Sequence, residues 1–404
     1  MKISDLAING GEPVRKYPLP PRKVFGEAEL NMVKEVFKHS WDSGKDFGFQ
    51  GKFEENFTKN FCDFQGGEGF ADAVCSGGAA IYIALKALDL EPGSDVIVSP
   101  VTNPGGIMPV AVQDVKLIVP DSDPNSFNIS PKEFEKAITS KTRAAVLTHL
   151  GGNAIDLDPI LKIAKSKGIK IVEDCAQAHG TTYKGKKVGT FTEIAAFSNG
   201  YSKTLAAGGV SGIVYTKNED LYWKVRSIAD RGKPFQKPDF NFRMTTDFLF
   251  PSHNFNSDEI SCAIGTSVLS RLEDIIKRRS EIVKKIDSAL KVCSAVYPAN
   301  LALANTKSSV FFHTVAVDLN KLKVSKVDFA NAVAAEGITI NTDYRDITCE
   351  WQWIPPFMRS YQKTPNSINF RNKTFNLLFN ENFGEKEIED IINSILKVEK
   401  FYLK

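Results

Sequence analysis

The chain lacks long apolar runs, paired cysteines and any excess of charge of one sign. No apolar stretch approaches the ~20 residues of a membrane span, and Met1-Lys2-Ile3-Ser4-Asp5 has no signal-peptide core. Cys62, Cys75, Cys175, Cys262, Cys293 and Cys349 are far apart and make no Cys-x-x-Cys or Cys/His ligand spacing, so reduced, buried thiols and no metal are expected. Lys and Arg number 51 against 48 Asp and Glu, a net charge of +3, and the two signs are interspersed. That balance leaves no electrostatic footprint for nucleic acid or a membrane surface and points to a small-molecule partner in a cytoplasmic protein. Repeats, low-complexity tracts and long linkers are also missing.

What the chain does have is ordinary globular composition, 42% hydrophobic and 25% charged over 404 residues, enough for one large and one smaller domain. Its informative stretch runs from Ile171 to Gly212. A short apolar run delivers Glu173 and Asp174 to a strand end marked by small residues and Gly180, and a second run, Ile194 to Phe197, delivers Ser198 and then Lys203. In open α/β sheets, ligands bind at the carboxyl ends of the strands. An acid, a hydroxyl and a lysine are therefore expected at one site.

Together these groups suit one cofactor. A lysine amine forms a Schiff base with a carbonyl, and a carboxylate facing a pyridine nitrogen keeps it protonated, so that the ring accepts electrons. This is the chemistry of pyridoxal 5'-phosphate (PLP), with Ser198 available to its phosphate. Upstream, Cys75-Ser76-Gly77-Gly78-Ala79 joins a strand to a helix, and the unpaired amides of such a helix start seat phosphate. Gly77, Gly78 and Ala79 are the residues expected there.

The order Glu173-Asp174-Cys175-Ala176-Gln177-Ala178-His179-Gly180, then Tyr183-Lys184-Gly185-Lys186-Lys187-Val188-Gly189-Thr190, then Ala196-Phe197-Ser198 with Lys203 five residues on, resembles the DegT/DnrJ/EryC1/StrS sugar aminotransferases. The resemblance implies the aspartate-aminotransferase-like fold (fold type I of PLP enzymes). It also implies that Lys203 holds the cofactor, Asp174 pairs with the ring nitrogen, Gln177 lies near the ring and Ser198 binds the phosphate. Asn254 would reach the phosphate of the other subunit, which makes a homodimer with shared sites. The chain departs from the family at Asn103, where an aromatic usually stacks on the ring, at Gly78, where Thr is usual, at Asn256, where Arg is frequent, and in the loop Gly208-Gly209-Val210-Ser211, which lacks its usual acid.

Three regions are expected. Residues 1–24 are rich in Gly and Pro and read as an extended arm, which in the family wraps over the other subunit; its Gly10-Gly11-x-Pro13-Val14-Arg15 resembles the branch acting on aminocyclitols. Residues 25–290 alternate strands and helices, which predicts a three-layer α/β/α domain with a mostly parallel sheet. Helices are expected over Glu27–His39 and, continuously, over Asp258–Leu290, with Trp41–Gly51 a loop; residues 291–404 read as a smaller α+β domain. Arg231 reads as a solvated surface arginine.

The expected activity is transfer of an amino group from glutamate or glutamine to a keto-sugar, nucleotide-linked, or a cyclitol ketone. Family members that dehydrate sugars carry His in place of the lysine, so Lys203 speaks against them. The altered positions keep a PLP lyase or dehydratase, or a catalytically silent regulatory protein, as rival readings.

Overall fold

The structure is a computed structural model and describes residues 5–237, 239–241, 246–299 and 301–404. Its strands in chain order are β1 (Phe70–Val74), β2 (Ser94–Val98), β3 (Val115–Ile118), β4 (Thr142–Thr148) and β5 (Lys170–Asp174). A hairpin follows, β6 (Thr182–Tyr183) and β7 (Lys186–Lys187), then β8 (Ile194–Ser198) and β9 (Gly212–Thr216). Seven of these form one sheet in the order β1-β9-β8-β5-β4-β2-β3. Only β9 runs against its neighbours; the ladders among β3, β2, β4, β5 and β8 are parallel.

Why these segments form this sheet is plain from their side chains. Strands covered on both faces read as unbroken apolar runs, and successive residues alternate between the two faces. Ile97, Ala145, Leu147 and Phe197 join one core; their neighbours Val96, Val98, Val146 and Ala196 join the other. Helices pack on both sides, giving the expected three layers.

The second unit holds β10 (Val296–Pro298), β11 (Thr306–Lys307), β12 (His313–Val317), β13 (Ile340–Asn341) and β14 (Thr374–Leu377). Four of them form an antiparallel sheet, β10-β12-β14-β13, under the helices Lys326–Ala335 and Glu385–Tyr402. Phe329, Phe375, Ile391 and Ile395 centre its core. Strand β11 instead joins the β6–β7 hairpin, so it ties the two units together.

Three details depart from expectation. The helical pattern over Asp258–Leu290 is two helices, Glu259–Leu269 and Leu272–Leu290. The break at Ser270–Arg271 leaves the apolar stripe in phase, so periodicity alone does not reveal it. Part of the Trp41–Gly51 segment belongs to the helix Glu27–Ser43, and a further helix, Lys52–Gln65, buries Phe53, Phe57 and Phe61. The arm lies along its own small domain: Leu6 is wholly buried in that core, and the Ala7 and Val14 amides donate to Glu336 at 3.0 Å each.

Candidate active site

Parallel register builds the centre of the site. Thr148 at the end of β4 lies beside Asp174 at the end of β5, and its hydroxyl donates to Asp174 Oδ2 at 2.8 Å. The Ala176 amide donates to Oδ1 at 3.0 Å, which fixes the carboxylate in plane. Thr102 Oγ1 stands 3.2 Å from the Thr148 hydroxyl. Beside it Gly106 must be bare: a β-carbon there would lie 2.9 Å from Thr102 Oγ1 and 3.1 Å from Asp174 Oδ2.

Alternation along β5 sends Glu173 to the opposite face. There it accepts from the Gly189 and Phe191 amides at 2.7 and 3.1 Å and from Thr192 Oγ1 at 3.0 Å. His149 Nε2 completes the set at 3.1 Å, while its Nδ1 accepts from the Ile155 amide at 3.2 Å, which puts the proton on Nε2. Glu173, His149 and Cys175 bring ligand-type atoms within 4.8 Å of one another. The lone pairs of Glu173 and His149 are already engaged, so this trio is a buried strut.

Lys203 sits in a loop that leaves β8 and returns to β9, closed by the Asn199 amide donating to Ser211 O at 2.8 Å and the Tyr201 amide to Gly209 O at 3.1 Å. Its Nζ lies 4.8 Å from the centroid of the Phe311 ring. Among the described residues it has no hydrogen-bond acceptor and no ion-pair partner. Burial pulls its pKa below the ordinary lysine range, with the charge of Asp174 acting in the opposite sense. A half-buried amine, unpaired among the described residues and within the field of a fixed carboxylate, is the donor set a pyridine aldehyde requires.

At the mouth of β1, Ser76 caps the helix Gly77–Lys86, and its hydroxyl accepts from the Ala79 amide at 3.1 Å. The amides of Gly77 and Gly78 remain as first-turn donors. Gly77 closes against Ser198, whose Oγ would lie 2.7 Å from an added β-carbon. The turn expected to seat phosphate and the serine thus share one corner. Gly78 has room for a side chain, its nearest neighbour being Pro109 Cγ at 3.5 Å, so packing does not impose this departure from Thr.

The remaining expected residues divide. Gln177 is buried and accepts from the Gly151 amide at 2.8 Å; burial pushes the nearby Tyr344 hydroxyl's pKa up, with the charge of Asp346 adding to it. Asn103 is exposed and turns its oxygen to the Gly105 amide at 3.1 Å, capping the turn Pro104–Gly106. Asn254 is exposed and pairs with Asp230 of its own chain, while the neighbouring Phe255 carbonyl accepts from the Cys75 amide at 2.6 Å. Arg231 is partly exposed and paired with Asp230 at 3.1 Å.

Sequence reasoning missed Thr148, Thr102, Phe311 and Tyr344. Thr148 was accessible in principle, because it ends a strand parallel to that of Asp174. Thr102 directly precedes the singled-out Asn103 without a signal of its own, and Phe311 and Tyr344 come from distant segments with no motif.

Beneath the lysine loop, His179 is fully buried, its Nδ1 without a hydrogen-bond partner among the described residues and its Nε2 3.4 Å from Asn199 Nδ2. Burial, with Lys203 and Arg22 adding to it, pushes its pKa down to about 3.

The chain is similar to the spore coat polysaccharide biosynthesis protein SpsC of Bacillus subtilis, 29% identical over 95% of this chain and 97% of the relative. It is also similar to the L-glutamine:2-deoxy-scyllo-inosose aminotransferase of Streptomyces fradiae, 28% identical over 90% and 87%. An aminotransferase structure from Psychrobacter cryohalolentis superposes with a TM-score of 0.85 at 24% identity, over 94% of this chain and 98% of that one. This likeness places the fold among the aspartate-aminotransferase-like PLP enzymes. Residues 24–396 match the DegT/DnrJ/EryC1/StrS aminotransferase family. The chain therefore belongs to that family, and it is a PLP-dependent aminotransferase.

Proposed function

We propose that Lys203 binds PLP covalently, that Asp174 keeps the ring nitrogen protonated, and that the amides of Gly77 and Gly78 with the Ser198 hydroxyl receive the phosphate, the expected Ala79 amide being engaged by the Ser76 cap instead. Gln177 and Asn103 border the ring. The single observation that carries this reading is the Lys203 amine, half-buried, unpaired among the described residues, packed by the Phe311 ring and within the field of the Asp174 carboxylate.

When bound, PLP supplies an electron sink for the carbon that loses its proton. The chain supplies the rest. Thr148 and the Ala176 amide hold the Asp174 carboxylate against rotation. Released from its covalent link, Lys203 Nζ is more readily neutral than an ordinary lysine, because burial disfavours its charge, and so it takes the donor's α-proton as a general base and returns one to the product carbon.

The amino donor is glutamine or glutamate. Of the two acceptor classes, a cyclitol-type ketone is supported by Gly10-Gly11-x-Pro13-Val14-Arg15 and by the scyllo-inosose relative, and Asn256 in place of a frequent Arg suits a less anionic acceptor than a nucleotide-linked sugar. Two copies share sites, with Asn254 reaching across. Exposed Tyr201 and Val210 on the lysine loop and Met108 and Val112 beyond Asn103 support this pairing.

Borohydride treatment of the holoenzyme followed by peptide mass spectrometry should place the reduced cofactor on residue 203 and find none in Lys203→Ala. A retained adduct in that variant would remove the lysine from its role. Asp174→Asn should bind PLP yet turn over on the order of a hundredfold or more slower, as removal of one preorganised electrostatic partner does; wild-type turnover would exclude it.

A further inference from the structure

A carboxylate of the small domain stands between two guanidinium groups behind the lysine. Arg22, from the arm, donates through Nε to Glu381 Oε1 at 2.8 Å. Its other nitrogens donate to the main-chain oxygens of Lys203, at 2.6 Å, and Thr204, at 2.9 Å. Arg279, on the helix Leu272–Leu290, donates through Nη1 to Glu381 Oε2 at 3.0 Å. It then grips the Val310 and Phe311 carbonyls, through Nε and Nη2, at 2.8 Å each. Phe311 is the residue whose ring covers the Lys203 amine.

Both ends of the catalytic lysine are thus held by one ion-paired unit: its backbone through Arg22, its amine through Phe311 and Arg279. Exposure of the three charged side chains is 17% for Arg22, 11% for Glu381 and 5% for Arg279, so solvent weakens these bonds little. The bonds that Arg22 makes are not replaceable by a lysine, which has no planar fork to reach a carboxylate and two carbonyls together. A cavity of about 180 Å³ lined by Arg22, Thr204, Arg279, Phe311 and Phe379 lies against the cluster, large enough to admit a small cation.

We infer that Arg22, Glu381 and Arg279 are positioning residues that set where Lys203 Nζ stands relative to the reacting carbon, and that through them the seating of the arm and the small domain governs the proton-transfer step. This rests on Lys203 being the lysine that binds the cofactor. None of the three is among the residues proposed to hold the cofactor. Their loss is expected in turnover rather than in substrate binding, since a displacement of about 1 Å at a reacting group costs up to about a hundredfold.

The test uses the holoenzyme. Arg22→Ala should lower kcat by about ten- to a hundredfold, keep KM for donor and acceptor within about twofold, and move the pH midpoint of the cofactor's visible absorbance. Millimolar guanidinium should restore most of kcat and return that midpoint, while Arg22→Lys should not match wild type. Lys16→Ala, an exposed change on the same arm, serves as the unchanged control. Wild-type kcat and midpoint in Arg22→Ala would overturn the inference, and so would a loss that guanidinium leaves untouched. Should Arg22→Ala fail to fold, Glu381→Gln keeps the packing and should show the same fall in kcat at constant KM; unchanged kcat there overturns the inference equally. Borohydride trapping at residue 203 in the wild type separates this outcome from failure of the lysine assignment itself.

Discussion

His179 shows what a buried ionisable group costs near the lysine. Its folded pKa, about 3, lies below the ordinary value of 6.5, so the unfolded chain takes up a proton as pH falls through 6.5 while the folded chain does not. Stability is therefore lost on acidification across that window, at a limiting slope of about 1.4 kcal/mol per pH unit. His179→Gln should flatten the dependence of the urea midpoint on pH between about pH 7 and 5. An unchanged slope would mean the histidine is protonated in the native state. Burial acts on Lys203 in the same sense, disfavouring its charge, which is what the proposed general-base role calls for.

At the level of elements, the site depends on how closely the helix Gly77–Lys86 approaches the end of β8. Glycine at 77 is required by contact, since the turn meets Ser198 with no space for a methyl group. Gly77→Ala should destabilise the fold by about 1–3 kcal/mol through overpacking and weaken PLP retention more than Gly78→Ala, which has open space at its β-carbon. Equal retention in the two variants, measured by equilibrium dialysis, would show that Ser198 can withdraw. Other elements were not legible beforehand. The helix Lys52–Gln65 begins after Gly51 with Glu259 accepting its Phe53 and Glu54 amides at 3.1 and 2.9 Å, a cap supplied from more than two hundred positions away. No local signal announces such a start.

For the whole molecule, the proposed dimer sets a further expectation. If Asn254 completes a neighbour's site, specific activity should fall on dilution in step with the appearance of monomer by sedimentation, and Asn254→Ala should weaken PLP retention. A monomer with full specific activity would contradict shared sites. The arm bears on the same scale. Its contacts with Glu336, and those of Arg15 with Asp390 at 2.7 Å, fasten it to the small domain before Arg22 reaches the lysine loop.

What the sequence determined by itself is local and ordered: apolar runs that must be doubly covered strands, small residues that end them, and the acid, serine and lysine placed at those ends in a spacing that serves one cofactor. A strand has only two faces, so Asp174 and Glu173 were bound to part company, and the run that carries Asp174 to a strand end carries it to the ligand crevice. The tertiary structure decided which distant side chains answer these groups. Thr148 meets Asp174 through the register of a neighbouring strand, Phe311 covers Lys203 from the small domain, and Glu381 joins two arginines lying 257 positions apart along the chain, at 22 and 279. Such contacts depend on the packing of whole layers. Hydrophobic period and turn chemistry report only on residues near in the chain, and they are silent about which surfaces meet.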